Sequence, residues 1–391
     1  MRERREPVDK LFVLGAGASH STTLKKKAEN RSPLDKDFCE RIEALKKLQR
    51  PGWVKPTSER VEKGWLDAAE FKKCGLEEAI VKQVSHLEFI QNFHSRRLKG
   101  KRSADEFLND IAHLILCGLK SISEDHRETY KKFAKHVFPK DKSSTWKNRV
   151  ISFNYDCMFE RHLLKQNIGC ARIYGEDVRT NQTKKKNPRN KNTPLVVKLH
   201  GSTNWRSNTE EFKKVIQTAT ETEPNESQKE NQTKIDEPKK AIQTGSKPEL
   251  NDSQRENEAK TKAQIQMTVW VENGMAIPAP DDKISPCIVP PLPRKPVAKI
   301  EVFRKLWDWA YEYLHEAKEL VICGYSLPDS DDMAKAMFGN FKNSKLKKVT
   351  IVDPDAAIIK KWRDLLRRKG VADASWEYHD DFAQYVESLS R

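Results

Sequence analysis

One short stretch, residues 10–14, narrows the choice of fold more than any other part of the chain. Leu11-Phe12-Val13-Leu14 is a continuous apolar run that passes directly into Gly15-Ala16-Gly17-Ala18-Ser19. A run that is apolar at every position reads as a strand buried on both faces, and a strand ending in a glycine turn opens nucleotide-binding α/β units. Similar apolar runs bounded by turn residues predict strands at 150–153, 195–199, 320–323 and 349–352. Apolar residues at helical spacing predict helices at 159–164, 302–315, 333–341 and 358–366. Strands alternating with helices give the α/β class: a Rossmann-like, mostly parallel sheet covered on both faces.

Two insertions interrupt that plan. From 68 to 138 the pattern stays helical, with Ile80, Val84, Leu87 and Ile90 on one face and Phe107, Leu108, Ile111, Leu114 and Ile115 on another. Residues 39–147 therefore read as an inserted helical layer. Residues 207–263 are mostly Lys, Glu, Gln, Asn and Thr. They cannot bury enough apolar surface to offset the entropy of ordering, and they read as a flexible, disordered loop insertion of low complexity. Pro224, Pro238, Gly245 and Pro248 work against a long charged helix there. The whole of 1–391 reads as a single nucleotide-binding domain carrying these two insertions.

The 391 residues include 73 Lys and Arg against 57 Asp and Glu, a formal net charge of +16. That balance suits a nucleic-acid partner, an anionic ligand or simply a solvated basic surface. No stretch reaches the roughly 20 apolar residues of a membrane span, and Arg2, Arg4 and Arg5 are not followed by the apolar run of a secretory signal. No membrane association is expected. Seven cysteines, an odd number with no C-x-x-C pair, argue against a disulfide framework or a zinc ribbon and predict a cytoplasmic location.

Polar residues gather where the predicted strands end, which is where ligands bind in open α/β sheets. Gly15 and Gly17 would let backbone approach a pyrophosphate with N–H groups turned toward the anion, although His20 stands where a full dinucleotide fingerprint has its third glycine. Asn154 and Asp156 follow the next strand in Ser152-Phe153-Asn154-Tyr155-Asp156. His200, in Leu199-His200-Gly201-Ser202, has a glycine beside it that leaves room for substrate, and its imidazole can shuttle protons near neutral pH. Cys323-Gly324-Tyr325-Ser326-Leu327-Pro328, with Asp331 beyond it, ends a fourth strand, and Asp353 ends a fifth, where a carboxylate suits ribose hydroxyls. Each motif alone also reads as a turn that caps a helix. Their joint recurrence at strand ends is what marks a site.

In this order the motifs resemble the sirtuin-like domain of bacterial NAD-degrading, anti-phage defence proteins. Ile288-Val289-Pro290-Pro291 also resembles that family's approach to its Gly-Tyr-Ser-Leu-Pro turn, and the resemblance runs from residue 10 to about 369. It implies a Rossmann-like sheet with NAD as substrate across the strand ends, and no metal. Gly15, Ala16, Gly17 and Ser19 would meet the pyrophosphate and Asp156 the nicotinamide carboxamide. Asn154 and His200 would form the catalytic pair. Gly324 belongs to the NAD-binding set, with Ser326 and Asp353 on the adenosine side. The implied activity is hydrolysis of NAD+ to nicotinamide and ADP-ribose. Lysine-deacylating sirtuins carry a zinc ribbon built from two C-x-x-C pairs; the lack of them here speaks against deacylation.

The one-domain design resembles the half of a two-protein system that works with a HerA-type ATPase. That implies a homo-oligomer, with 68–138 as a contact surface, a HerA-type ATPase partner, and DNA met through that partner. Two other classes stay open on the sequence. One is a sensor that binds NAD or ADP-ribose without hydrolysing it. The other is a basic nucleic-acid-binding component of a defence complex, for which Lys184, Lys185, Lys186, Arg189 and Lys191 offer a charged loop.

Overall fold

Six parallel strands form the main sheet of the computed structural model. It describes residues 7–23, 32–48, 58–59, 75–84, 104–120, 127–140, 146–175, 178–180, 193–208, 270–271, 284–289, 300–367, 371 and 374–389. The strands are β1 (Val8–Leu14), β2 (Arg149–Ser152), β3 (Arg179–Thr180), β4 (Val196–Lys198), β5 (Gly201–Asn208), β6 (Trp270–Val271), β7 (Ile284–Ile288), β8 (Ala317–Cys323), β9 (Lys348–Val352) and β10 (Ser375–His379). The helices are α1 (Ala16–Ser21), α2 (Phe38–Leu48), α3 (Ala104–Lys120), α4 (Arg127–Val137), α5 (Met158–Lys165), α6 (Cys170–Tyr174), α7 (Glu301–Glu316), α8 (Asp332–Asn340), α9 (Ala356–Arg367) and α10 (Phe382–Ser388). Residues 75–84 are also helical.

The main sheet runs β10-β9-β8-β1-β2-β4. Counted along the chain within this sheet, that is the doubly wound order 3-2-1-4-5-6, with its reversal between β1 and β8. The α/β, Rossmann-like arrangement expected from the strand–helix alternation is therefore present. Register aligns the carboxyl ends in one row: Leu14 pairs with both Ser152 and Cys323, Ser152 with Lys198, Cys323 with Val352, and Val352 with His379. Whatever follows these residues is delivered to the same edge of the sheet.

Burial explains the apolar runs. Leu11, Phe12, Val13, Val150, Ile151, Val196, Val197 and Ile351 are fully enclosed. α7 turns Phe303, Leu306, Trp307, Ala310 and Leu314 inward at helical spacing and packs against β1, β4 and β8. Phe133 of α4 meets Phe12 edge-on at 5.1 Å and Phe382 of α10 at 5.2 Å. Burying each such ring stabilises the fold by about 1.5–3 kcal/mol.

Within the expected helical layer, α2, residues 75–84, α3 and α4 are helical as read. Ile80, Val84, Ile111, Leu114 and Ile115 are buried in the core. Leu87 and Ile90 lie outside the described residues. The sequence reading missed a second, four-stranded sheet, ordered β3-β6-β5-β7, in which β5 runs antiparallel to β6 and β7. Ser207 and Asn208, assigned from sequence to the 207–263 insertion, belong to β5; residues 209–263 lie outside the described residues, as do the basic residues of 181–192. Among the described residues no helix is long and apolar enough to cross a membrane.

Candidate active site

The glycines of the first and fourth motifs meet at the reversal point. The Gly15 N–H donates to the Cys323 carbonyl at 3.0 Å, and the Gly17 N–H to the Gly324 carbonyl at 2.9 Å. A Cβ on Gly15 would come within 2.5 Å of Tyr325 Cα, and one on Gly17 within 2.8 Å of Gly324 Cα. Gly324 itself has φ +58°, and its own Cβ would overlap the backbone of Gly17 and Ala18. So the two amides expected to face an anion are engaged between loops, and these glycines allow two backbones to touch. Ala16 and Gly17 still border the cavity described below.

Ser19 lies behind the cavity wall, with no exposure. Its Oγ donates to Asp156 Oδ2 at 2.8 Å, lies 2.9 Å from Tyr130 OH and accepts from Asn154 Nδ2 at 3.2 Å. A serine hydroxyl has one proton and two lone pairs. The proton goes to the carboxylate, which can only accept, so the hydroxyl receives from Tyr130 and from the Asn154 amide. That arrangement turns Asn154 Nδ2 toward Ser19 and leaves Oδ1 buried without a hydrogen-bond partner among the described residues. Asp156 Oδ1 also accepts from the Met158 N–H at 3.0 Å, an Asx turn leading into α5. Beneath it, Lys198 and Glu160 form a buried ion pair at 3.0 Å, and Lys198 donates to the Asp156 carbonyl. Burial pushes the Glu160 carboxyl above its ordinary value, and the Lys198 charge opposes that shift.

His200 stands two residues past Lys198 in β4, as Asn154 stands two past Ser152 in β2, and these two strand ends are paired. Its Nε2 lies 3.1 Å from Oδ2 of Asp331, with the two side chains 8% and 1% exposed. Phe153 packs edge-on to the imidazole at 5.3 Å and stacks on Tyr325 at 3.9 Å. Tyr325 OH donates to Asp331 Oδ2 at 2.8 Å, and burial holds its phenol well above the usual range, so it stays a donor.

The loop after β8 is anchored from α9. Trp362 Nε1 donates to the Tyr325 carbonyl at 2.7 Å and Lys361 Nζ to the Leu327 carbonyl at 2.5 Å. Leu327 is buried yet has φ +51°, a left-handed conformation that costs a leucine about 1 kcal/mol or more. The strained turn leaves Ser326 exposed at the cavity edge. Asp353 borders the same space. Its Oδ1 accepts from the Asp355 N–H at 2.9 Å, and burial raises its carboxyl above the ordinary aspartate value.

These groups surround one cavity of about 750 Å³ at the carboxyl ends of the strands. Ala16, Gly17, Asn154, Asp156, His200, Gly324, Ser326 and Asp353 line it, whereas Gly15 and Ser19 do not. Asp355, Asp380 and Asp381 add negative charge on the Asp353 side, Asp35 faces it from the turn before α2 and Glu77 from the helical layer, and among the described residues Lys36 is the one lysine on the lining. Sequence reasoning named neither that wall nor the role of Asp331. The first needed the helical layer's placement over the strand ends. The second had a signal, an acidic residue just beyond a strand-end turn, but nothing in the sequence pairs it with His200. The chain matches no protein-family model, and no curated protein matches it either.

Proposed function

We propose that the chain hydrolyses NAD+ to nicotinamide and ADP-ribose. The observation that carries this is the meeting of Asn154 and His200 in one cavity at the carboxyl ends of the strands, with Asn154 Oδ1 buried and lacking a partner among the described residues. A buried acceptor left unmatched is costly, and a water or ribose hydroxyl would satisfy it. The cavity's volume suits a dinucleotide-sized ligand, ligand clefts running from about 300 to 1,000 Å³.

In the reaction, the bond from ribose C1′ to the nicotinamide nitrogen breaks and its electron pair leaves with neutral nicotinamide. Water adds to C1′ and gives up a proton, yielding ADP-ribose. Positive charge moves onto the ribose as the bond breaks, so neighbouring carboxylates stabilise the transition state more than the bound substrate. Asn154 orients the water or the ribose hydroxyls, neutral His200 accepts the proton, and Asp156 receives the carboxamide N–H. The pyrophosphate passes the Ala16–Gly17 turn, and Ser326 and Asp353 take the adenosine side. No metal takes part in this scheme.

The same reading makes the chain a cytoplasmic anti-phage effector that depletes NAD+. It acts as a homo-oligomer beside a HerA-type ATPase, through which it meets DNA. These further assignments rest on the motif resemblance. Chromatography of NAD+ incubated with the purified chain, alone and with its partner ATPase and DNA, tests the activity. Equal amounts of nicotinamide and ADP-ribose are expected. NAD+ that binds and stays intact under every condition would instead make the chain a sensor. Light scattering at micromolar concentration tests the assembly, and a monomer would refute it.

A further inference from the structure

Asp331 is a buried carboxylate that two donors and an imidazole nitrogen approach. His200 Nε2 lies 3.1 Å from Oδ2, Tyr325 OH donates to the same oxygen at 2.8 Å, and the Ala334 N–H at the start of α8 donates to Oδ1 at 3.3 Å. An ionised carboxylate only accepts hydrogen bonds. An imidazole nitrogen facing such a group carries its own proton. We propose that Asp331 is the positioning residue of His200: it holds the ring as the Nε2–H tautomer, so that any proton the imidazole accepts arrives at Nδ1. The inference rests on the reading of His200 as the proton acceptor.

The surroundings make the pairing rigid. Tyr325 both donates to Asp331 and stacks on Phe153, whose edge packs against the His200 ring. The carbonyl of His200 accepts from the Val289 N–H at 2.9 Å. Gly201, next along the chain, has φ +79° and abuts the Cys287 carbonyl so closely that no side chain fits. The ring is therefore held from its backbone, from one face and from Nε2. As the imidazole gains charge, the carboxylate behind it stabilises the cation without having to reorient. Asp331 touches no substrate in this scheme; it acts through His200.

Asp331→Asn tests this in the full chain. The amide keeps the Oδ1 acceptor for α8 and nearly the same shape. It turns an N–H toward Nε2, which forces the imidazole proton to Nδ1. ¹⁵N NMR of histidine-labelled protein, with the His200 signal identified by its loss in His200→Ala, reads the tautomer directly at a pH where the ring is neutral. The wild type should show Nε2–H and the variant Nδ1–H. Turnover of NAD+ should fall about 10²- to 10⁴-fold in kcat with KM little changed. An Nδ1–H wild-type ring overturns the proposal, and does so even if Asp331→Asn fails to fold. A loss confined to KM overturns it as well. If the wild type releases no nicotinamide but shows the Nε2–H ring, it is the hydrolase reading that fails and the positioning by Asp331 that stands.

Discussion

Replacing Ser19 with alanine removes one oxygen atom and leaves three buried groups without their partner. Asp156 Oδ2 loses a donor at 2.8 Å, Tyr130 OH loses the hydroxyl at 2.9 Å, and Asn154 Nδ2 loses an acceptor at 3.2 Å. Little apolar area changes, so the cost is that of unmatched polar groups, about 1–3 kcal/mol for each. Asp156 keeps its bond from the Met158 N–H, and the long Asn154 contact is weak, which puts the sum near the lower end. Ser19→Ala should lower stability by about 3–5 kcal/mol, a large share of the total of a domain. Denaturant unfolding followed by tryptophan fluorescence measures it, since Trp205 and Trp362 are buried reporters. Ser19→Thr, which restores the hydroxyl, separates hydrogen bonding from shape. A loss below about 1 kcal/mol in Ser19→Ala would mean that Ser19 is not the hub of this network.

Other expectations follow from single contacts. Gly324→Ala adds a Cβ at φ +58° that overlaps the Gly17 backbone, so it should abolish soluble folded protein; a native circular dichroism melt would contradict the loop-against-loop account. Lys198→Met strands the buried Glu160 carboxylate and should cost about 3–5 kcal/mol, with much of it recovered in the double variant that also carries Glu160→Gln, as denaturant midpoints would report. Burial raises the Asp35 and Asp353 carboxyls above 3.8, so the folded chain binds their protons more tightly than the unfolded chain does. Their contribution to stability is then present below the ordinary aspartate value and lost as pH rises through the raised values; Asp353→Asn should flatten the slope of stability measured upward from about pH 4.

The sheet was legible because parallel strands buried on both faces are written as unbroken apolar runs, and Leu11–Leu14 is enclosed throughout. Once such strands are parallel and in register, their ends form a row, which is why separate motifs at residues 15–19, 154–156, 200, 324–326 and 353 reach one place. What the pattern of residue types could not convey was direction. Gly15-Ala16-Gly17-Ala18-Ser19 is compatible with a serine facing a ligand; the first turn of α1 points it inward to Asp156 instead. β5 was illegible for a different reason. Its Ser202, Thr203, Asn204 and Arg206 are polar in type yet buried, with Arg206 donating to the Thr203 and Trp205 carbonyls and Asn204 to Tyr174 OH. β10 is an edge strand of half-exposed residues, which leaves little hydrophobic signal.

The most direct test of the account combines NAD+ affinity with nicotinamide release for the wild type, Asn154→Ala and His200→Ala. If these two residues act on the bond rather than on binding, both variants should bind NAD+ within a few-fold of the wild type while release falls about 10²-fold or more. Release at the wild-type rate from either variant would contradict the assignment.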